Sequence, residues 1–262
     1  EQGSGAPDVF SQELDHDFGY TQIFKTACEM TNTARATIYR GYADEFQRIW
    51  NLKLREHKVD IERAMLFGQK STAVNGIQYT DGIVGSTIRN GYSSIVNDGS
   101  KLSYNSGVPY YKSNTTAQLT YDNLLQDFEV IFDPARGGGR AKLALASRPV
   151  ITHFNKLGSN SFVDGSLANE QRYNFPASSG PFGHLVTKVQ TIHGDISMVA
   201  ESLFRGFASG FMMMVDLDHV AYRPLVGNGI NRDTSITTNV QQADEDLRKD
   251  MILTEAGLEV SL

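Results

Sequence analysis

Several groups of residues in this sequence are of types that could do chemistry. The run Gly137, Gly138, Gly139, Arg140 offers backbone N–H groups and a cation to a phosphate. A phosphate loop follows a strand and opens a helix, so that the helix N-terminus faces the anion. Here the glycines follow a predicted helix and precede a predicted strand, so they are expected to be a flexible connector. Asp216, Asp218 and His219 carry metal-ligating groups. No second cluster supplies further ligands, and turn chemistry at a hairpin bend is the expectation. His184 and His193 have an odd spacing, which puts them on opposite faces of an extended strand, unable to act together. His57 could be a ligand or a base, yet it fills one step of an apolar stripe, where a hydrogen-bonded core histidine is expected. Trp50 and the run Met212, Met213, Met214 read as core for the same reason of context. No nucleophile elbow, CxxC pair or HExxH helix occurs. The reading is therefore of a protein that is not an enzyme, with no catalytic, cofactor-binding or metal-binding residue assigned and no cofactor.

Composition bounds the alternatives. With 262 residues and 40% hydrophobic content the chain can bury a proper core. Its formal net charge of −6, with no cluster of Lys and Arg, argues against a general grip on nucleic-acid backbone. The single cysteine, Cys28, excludes an internal disulfide framework and fits a reducing compartment. The longest apolar run, Phe207 to Val215, is short of a membrane span and broken by Ser209 and Gly210, so no membrane partner is expected. The chain opens at Glu1 without Met, which suggests a processed or truncated product.

The element that must organise these residues runs from Ala43 to Phe67. It has no Gly or Pro, and apolar residues recur at Ala43, Phe46, Trp50, Leu54, Ile61 and Ala64, with His57 in the missing step. Steps of three and four over that distance predict one amphipathic helix, roughly 38 Å long at 1.5 Å per residue, ended by Gly68. Asp44 and Glu45 are read into its first turn, with Asp44 paired to Arg48. Residues 1 to 19 are too polar and acidic to order themselves, and Tyr20 to Tyr39 read as one long strand or a loose ribbon. Gly, Ser, Asn and Tyr fill the stretch after Gly68 to Tyr111, predicting loop with short strands, and 158 to 183 is again rich in Gly, Ser and Asn. Between them lie a helix capped by Thr120 and stopped by Pro134, a strand from Lys142 to Ala146, and a helix after Ser147. The rest predicts three strand pairs: Leu185 to Ile192 with Ile196 to Ala200, Phe211 to Leu217 with Val220 to Tyr222, and Thr234 to Gln241 with Leu247 to Leu262. In the last strand the apolar positions slip from odd to even numbers at Ala256 and Gly257, which predicts a β-bulge there.

An α/β body, one long helix, long closing strands and no active site together suggest self-association. The wording of the segments GYTQIFKTACEMTNTARATIYRG, DEFQRIWNLKLREHKVDIERAMLFG and RDTSITTNVQQADEDLRKDMILTEAGLEVSL resembles the major capsid proteins of tailed bacteriophages, in particular the coliphage S-U-ten-like family. The resemblance implies an α+β fold of the Hong Kong 97 type. Residues 1–40 would be part of an extended loop or arm lying across a neighbouring subunit, with Tyr20, Ile23, Phe24, Ile38 and Tyr39 at the subunit interface. Residues 41–71 would hold the spine helix of a peripheral domain. Residues 72–183 would be mostly an axial domain, and 184–262 closing strands of the peripheral sheet with some axial strands. The implied partners are other copies of the chain, in hexamers, pentamers and neighbouring capsomers of an icosahedral shell around double-stranded DNA, which lies nearby without sequence-specific contact. Scaffolding, portal or decoration proteins are further implied partners. The place implied is the virion capsid, assembled in the bacterial cytoplasm, and the chain would be a fragment or the ordered part of a longer subunit. Two other readings stay open: the shell of an encapsulin-type compartment, which uses the same fold, and a small-molecule α/β enzyme.

Overall fold

In the computed structural model of this chain the described residues are 18–38, 40–41, 44–72, 76–90, 92–93, 110–113, 119–133, 139–160, 177–179 and 185–260. The first strand, β1 (Gln22–Thr31), alternates strictly, with Phe24 and Cys28 buried and Ile23, Lys25, Ala27 and Glu29 exposed. It stops well short of the predicted Tyr39. The Thr31 hydroxyl accepts the Ala34 N–H at 3.3 Å and so caps a short helix, α1 (Asn32–Ala36). The long helix α2 (Glu45–Phe67) ends where the sequence predicts, the Gly68 N–H donating to the Ala64 carbonyl at 2.8 Å. Its 23 residues span roughly 35 Å at 1.5 Å per residue. Its start corrects the sequence reading. Asp44 is the N-cap, accepting from the Gln47 N–H at 3.2 Å, and Arg48 pairs with Glu45 instead. The predicted stripe faces inward: Phe46, Trp50, Leu54, Ile61 and Ala64 are half-buried and His57 is fully buried.

Past α2 come the paired short strands β2 (Ser71–Thr72) and β3 (Gln78–Tyr79), the helix α3 (Ile83–Asn90), and the pair β4 (Tyr92–Ser93) and β5 (Tyr110–Tyr111). A second layered unit follows. Helix α4 (Tyr121–Ile131) is capped by Thr120 as predicted, and helix α5 (Arg148–Asn160) follows strand β6 (Ala141–Ala146). With β7 (Ala177–Ser179), β8 (Leu185–Gln190), β9 (Asp195–Ala200) and β10 (Met212–Val215), strand β6 forms a five-stranded sheet in the order β10-β6-β9-β8-β7. Only β6 and β9 run parallel in it. Leu124, Phe128 and Phe132 from the α4 side and Phe154 from α5 pack on Ala144, Ala146, Val189, Ile196 and Met198 to make its core.

The closing strand β15 (Leu247–Val260) returns to the first unit and lies in the middle of a four-stranded sheet. On one side it pairs with β1 from Gln22↔Ala256 to Thr31↔Leu247. On the other it pairs with β11 (Val220–Pro224) and then β14 (Ser235–Thr237), as predicted for the latter. Between β11 and β14 the chain leaves the sheet as a small hairpin of β12 (Val226–Gly227) and β13 (Ile230–Asn231).

Two further expectations are corrected here. The segments around β10 and β11 do not pair with each other: β10 joins β6, β11 joins β15, and the turn Leu217–His219 carries the chain from one sheet to the other. The bulge at Gly257 is absent, since the β11–β15 register runs unbroken from Ala256 to Val260. The even positions Asp250, Ile252, Thr254 and Ala256 are buried, and towards the end of the strand the odd positions Glu255 and Gly257 are covered as well. Gly257 answers a different need: a Cβ there would stand 2.9 Å from the Tyr20 carbonyl oxygen.

Candidate assembly interface

Strand β1 was expected to lie across another subunit, but its own chain uses it. The Phe24 side chain, 7% exposed, is on the buried face of the strand and is a core residue of its own subunit. Beside it the Thr26 hydroxyl bonds His57 Nδ1 at 2.9 Å, and His57 Nε2 bonds the Thr254 hydroxyl at 2.9 Å. Thr254 continues to the Thr234 hydroxyl, also at 2.9 Å. One imidazole thus ties the long helix to the edge strand β1 and the central strand β15. Burial pushes its pKa below the ordinary histidine value, with Asp60 a weaker opposing influence. Nearby, burial works against ionised Asp250, yet the Arg248 side chain and the Asn239 N–H hold its carboxyl below the ordinary aspartate value.

The other candidates from the sequence resolve into structure as well. Asp216 accepts from Lys142 Nζ at 3.2 Å and from the Asp218 N–H at 3.1 Å, a nearly buried ion pair that closes the turn between the sheets. Gly139 sits against that carboxylate, where a Cβ would fall 2.5 Å from Asp216 Oδ2. Two motifs far apart in sequence therefore meet, as a structural pair. No group of three or more His, Cys, Asp or Glu among the described residues is placed to hold a metal. Cys28 is a buried free thiol, its pKa raised by burial and then by Asp250. His184, Gly137, Gly138 and Tyr39 lie outside the described residues.

The surfaces that remain suit contact with another chain. Among the described residues β1 is an edge strand, paired only to β15, and its outward side chains include Ile23, 48% exposed. A groove of about 740 Å³ runs between this strand and α2, lined in part by Gln22, Thr26, His57, Arg63 and Tyr79. Past α1, Ile38 is 93% exposed. Tyr20 is half-buried, stacked edge-on with Phe18 at 5.5 Å. On the far side of the same sheet Val226, Ile230 and Ile236 are exposed. The sequence reading missed this hairpin, although Asn228-Gly229 between apolar residues is a strong local signal for one. At the joint between the sheets Phe67, Phe204, Phe211 and Phe207 form a chain of edge-on ring contacts, with Phe207 79% exposed.

The sequence profile of the SU10 major capsid protein family matches residues 1–261. The chain belongs to that family. It is a major capsid protein of a tailed phage, a structural subunit of an icosahedral shell and not an enzyme. No curated protein sequence matches it. Among solved structures, one of Microbacterium phage Oxtober96 is similar at a TM-score of 0.51 and 10% identity, covering 93% of this capsid protein and 67% of that chain. One of Mycobacterium phage Patience has a TM-score of 0.47 and 14% identity over 98% of this chain and 73% of that one. The SrpI encapsulin of Synechococcus elongatus also has a TM-score of 0.47, at 10% identity over 92% and 70%. Family membership and the likeness to the Oxtober96 structure give the capsid protein an α+β fold similar to that of Hong Kong 97-type phage capsids. Family membership decides between the readings left open by the sequence, in favour of the phage shell.

Proposed function

We propose that this capsid subunit closes hexamers and pentamers through the surfaces flanking the four-stranded sheet, above all the outer edge of β1 and Ile38. The observation that carries this reading is an edge strand of ten residues, paired on one side only among the described residues, with Ile23 exposed on its outward face and Ile38 beyond it almost wholly in water. An open edge left in solution invites pairing with any other chain, and strand addition from a neighbour satisfies its N–H and C=O groups. Repeated around a closed ring, contacts of that kind add up even when each is weak. The four-stranded sheet with α2 then forms the peripheral domain and the five-stranded sheet with α4 and α5 the axial one. The net charge of −6 fits a shell that encloses DNA without gripping it.

The test is a double substitution, Ile23→Lys with Ile38→Asp, in the full chain. Both side chains are exposed, so circular dichroism and the denaturation midpoint are expected to stay near wild type. Large particles in sedimentation are expected to disappear. Particles that form as before would place the contacts elsewhere. The register also sharpens the use of truncations. Removing residues 1–30 deletes β1 and is expected to unfold the sheet, whereas removing 1–17 leaves every described contact of the subunit in place.

A further inference from the structure

The hairpin β12–β13 turns on Asn228 and Gly229, and both have positive φ, 50° and 77°. That is the backbone of a two-residue type I′ loop, which Asn-Gly suits best. Both residues are exposed. Two residue pairs form the ladder, Val226↔Asn231 and Gly227↔Ile230, and the Arg232 N–H closes the base on the Leu225 carbonyl at 3.0 Å; a two-stranded ladder that short opens readily at its tip. No side-chain hydrogen bond restrains the Asn228 carboxamide among the described residues, and glycine leaves the following N–H unshielded.

We propose that Asn228 is a site of spontaneous deamidation in the folded subunit. Hydroxide removes the Gly229 amide proton, the nitrogen attacks Asn228 Cγ, and the Cγ–Nδ2 bond breaks with release of ammonia. The resulting five-membered succinimide is opened by water at either carbonyl, giving aspartate or isoaspartate. Nothing is oxidised or reduced, and water is the only co-reactant. The product places a negative charge at a tip whose flanking side chains, Val226 and Ile230, are exposed and apolar. In the isoaspartyl form the main chain also gains a methylene, and a two-residue loop with both φ positive no longer fits it. The hairpin therefore changes both charge and shape as the subunit ages.

The test uses the folded full chain, incubated at mildly alkaline pH, then digested and read by mass spectrometry together with enzymatic methylation of isoaspartate. Asn228 is expected to convert, with isoaspartate the main product, while Asn231 and Asn239, which precede Arg and Val, keep their amides. A parallel sample unfolded in urea supplies the unrestrained rate for Asn75, Asn90 and Asn228, all of which precede glycine. Gly229→Val, checked for folding by circular dichroism, is expected to lose the isoaspartyl product. An Asn228 amide retained in the folded chain but lost in the unfolded one would show that the turn protects the residue, and would overturn the proposal.

Discussion

The two sheets are closed by different means. The five-stranded sheet is sealed by interlocking apolar side chains, four of them aromatic or large aliphatic groups from α4 and α5, with one Lys142–Asp216 pair at its margin. The four-stranded sheet meets α2 through a chain of hydroxyls and one imidazole, Thr26, His57, Thr254 and Thr234. Apolar packing is non-directional and rewards volume, whereas a buried polar chain rewards one register and punishes every other. The first sheet should thus resist most conditions but not cavities, and the second should be sensitive to protonation.

Substitutions can break this contrast. The largest effect is expected for Phe128→Ala, which leaves a cavity in the apolar core and should cost about 4 kcal/mol in a denaturant titration. Lys142→Met strands the Asp216 carboxylate almost out of water and should cost about 3 kcal/mol, while adding Asp216→Leu to it should recover most of the loss. His57→Ala removes the imidazole partner of the Thr26 hydroxyl and one of the two partners of the Thr254 hydroxyl, and should cost about 2 kcal/mol near neutral pH. The histidine also gives the sheet its acid dependence. Its folded pKa lies below the unfolded value, so the unfolded chain takes up the proton more readily. Its contribution is complete above the unfolded pKa of about 6.5 and falls as pH drops from there through the folded value. Melting profiles of wild type and His57→Gln should therefore converge on acidification, and a constant gap between them would contradict the assignment. The smallest effect is expected for Arg48→Ala on the exposed side of α2, within about 0.5 kcal/mol, because its ion pair with Glu45 is at the surface. Equal losses for Phe128→Ala and Arg48→Ala would erase the contrast altogether.

How much of this could be read beforehand follows from the same physics. Helix α2, the Thr120 cap, the strands from Leu185 to Ala200 and the β14–β15 pair are local patterns, and the structure has all four. His57 as a hydrogen-bonded core residue was legible too, because its place on the stripe allowed little else. The phantom bulge arose because parity was judged by hydrophobicity. The inward positions of β15 include Thr254, which the buried polar chain needs, and Asp250, held by Arg248 and the Asn239 N–H, so hydrophobicity alone points to Met251 and Leu253, which are only half-buried. The β10–β11 pairing failed for another reason: adjacency in sequence favours a hairpin, and nothing local says that β6 and β15 are the true partners. As for the interface, strict alternation in β1 already separates Ile23 from Phe24, but which face is inward depends on the distant helix and strand.

The central place of β15 also has a consequence for how the subunit comes off the ribosome. Thr21 and Glu255, which share a hydrogen bond at 3.2 Å, are 234 positions apart. Helices α4 and α5 and strands β6 to β10 are complete long before β15 emerges, since synthesis proceeds from the N-terminus at about 5–20 residues per second. Pairings at such separation form slowly in any case. Strand β1 and helix α2 must wait through the interval without their partner, while the five-stranded sheet is free to fold. A nascent chain therefore cannot present the finished edge of β1 to its neighbours, and incomplete subunits on one messenger are kept from nucleating a shell.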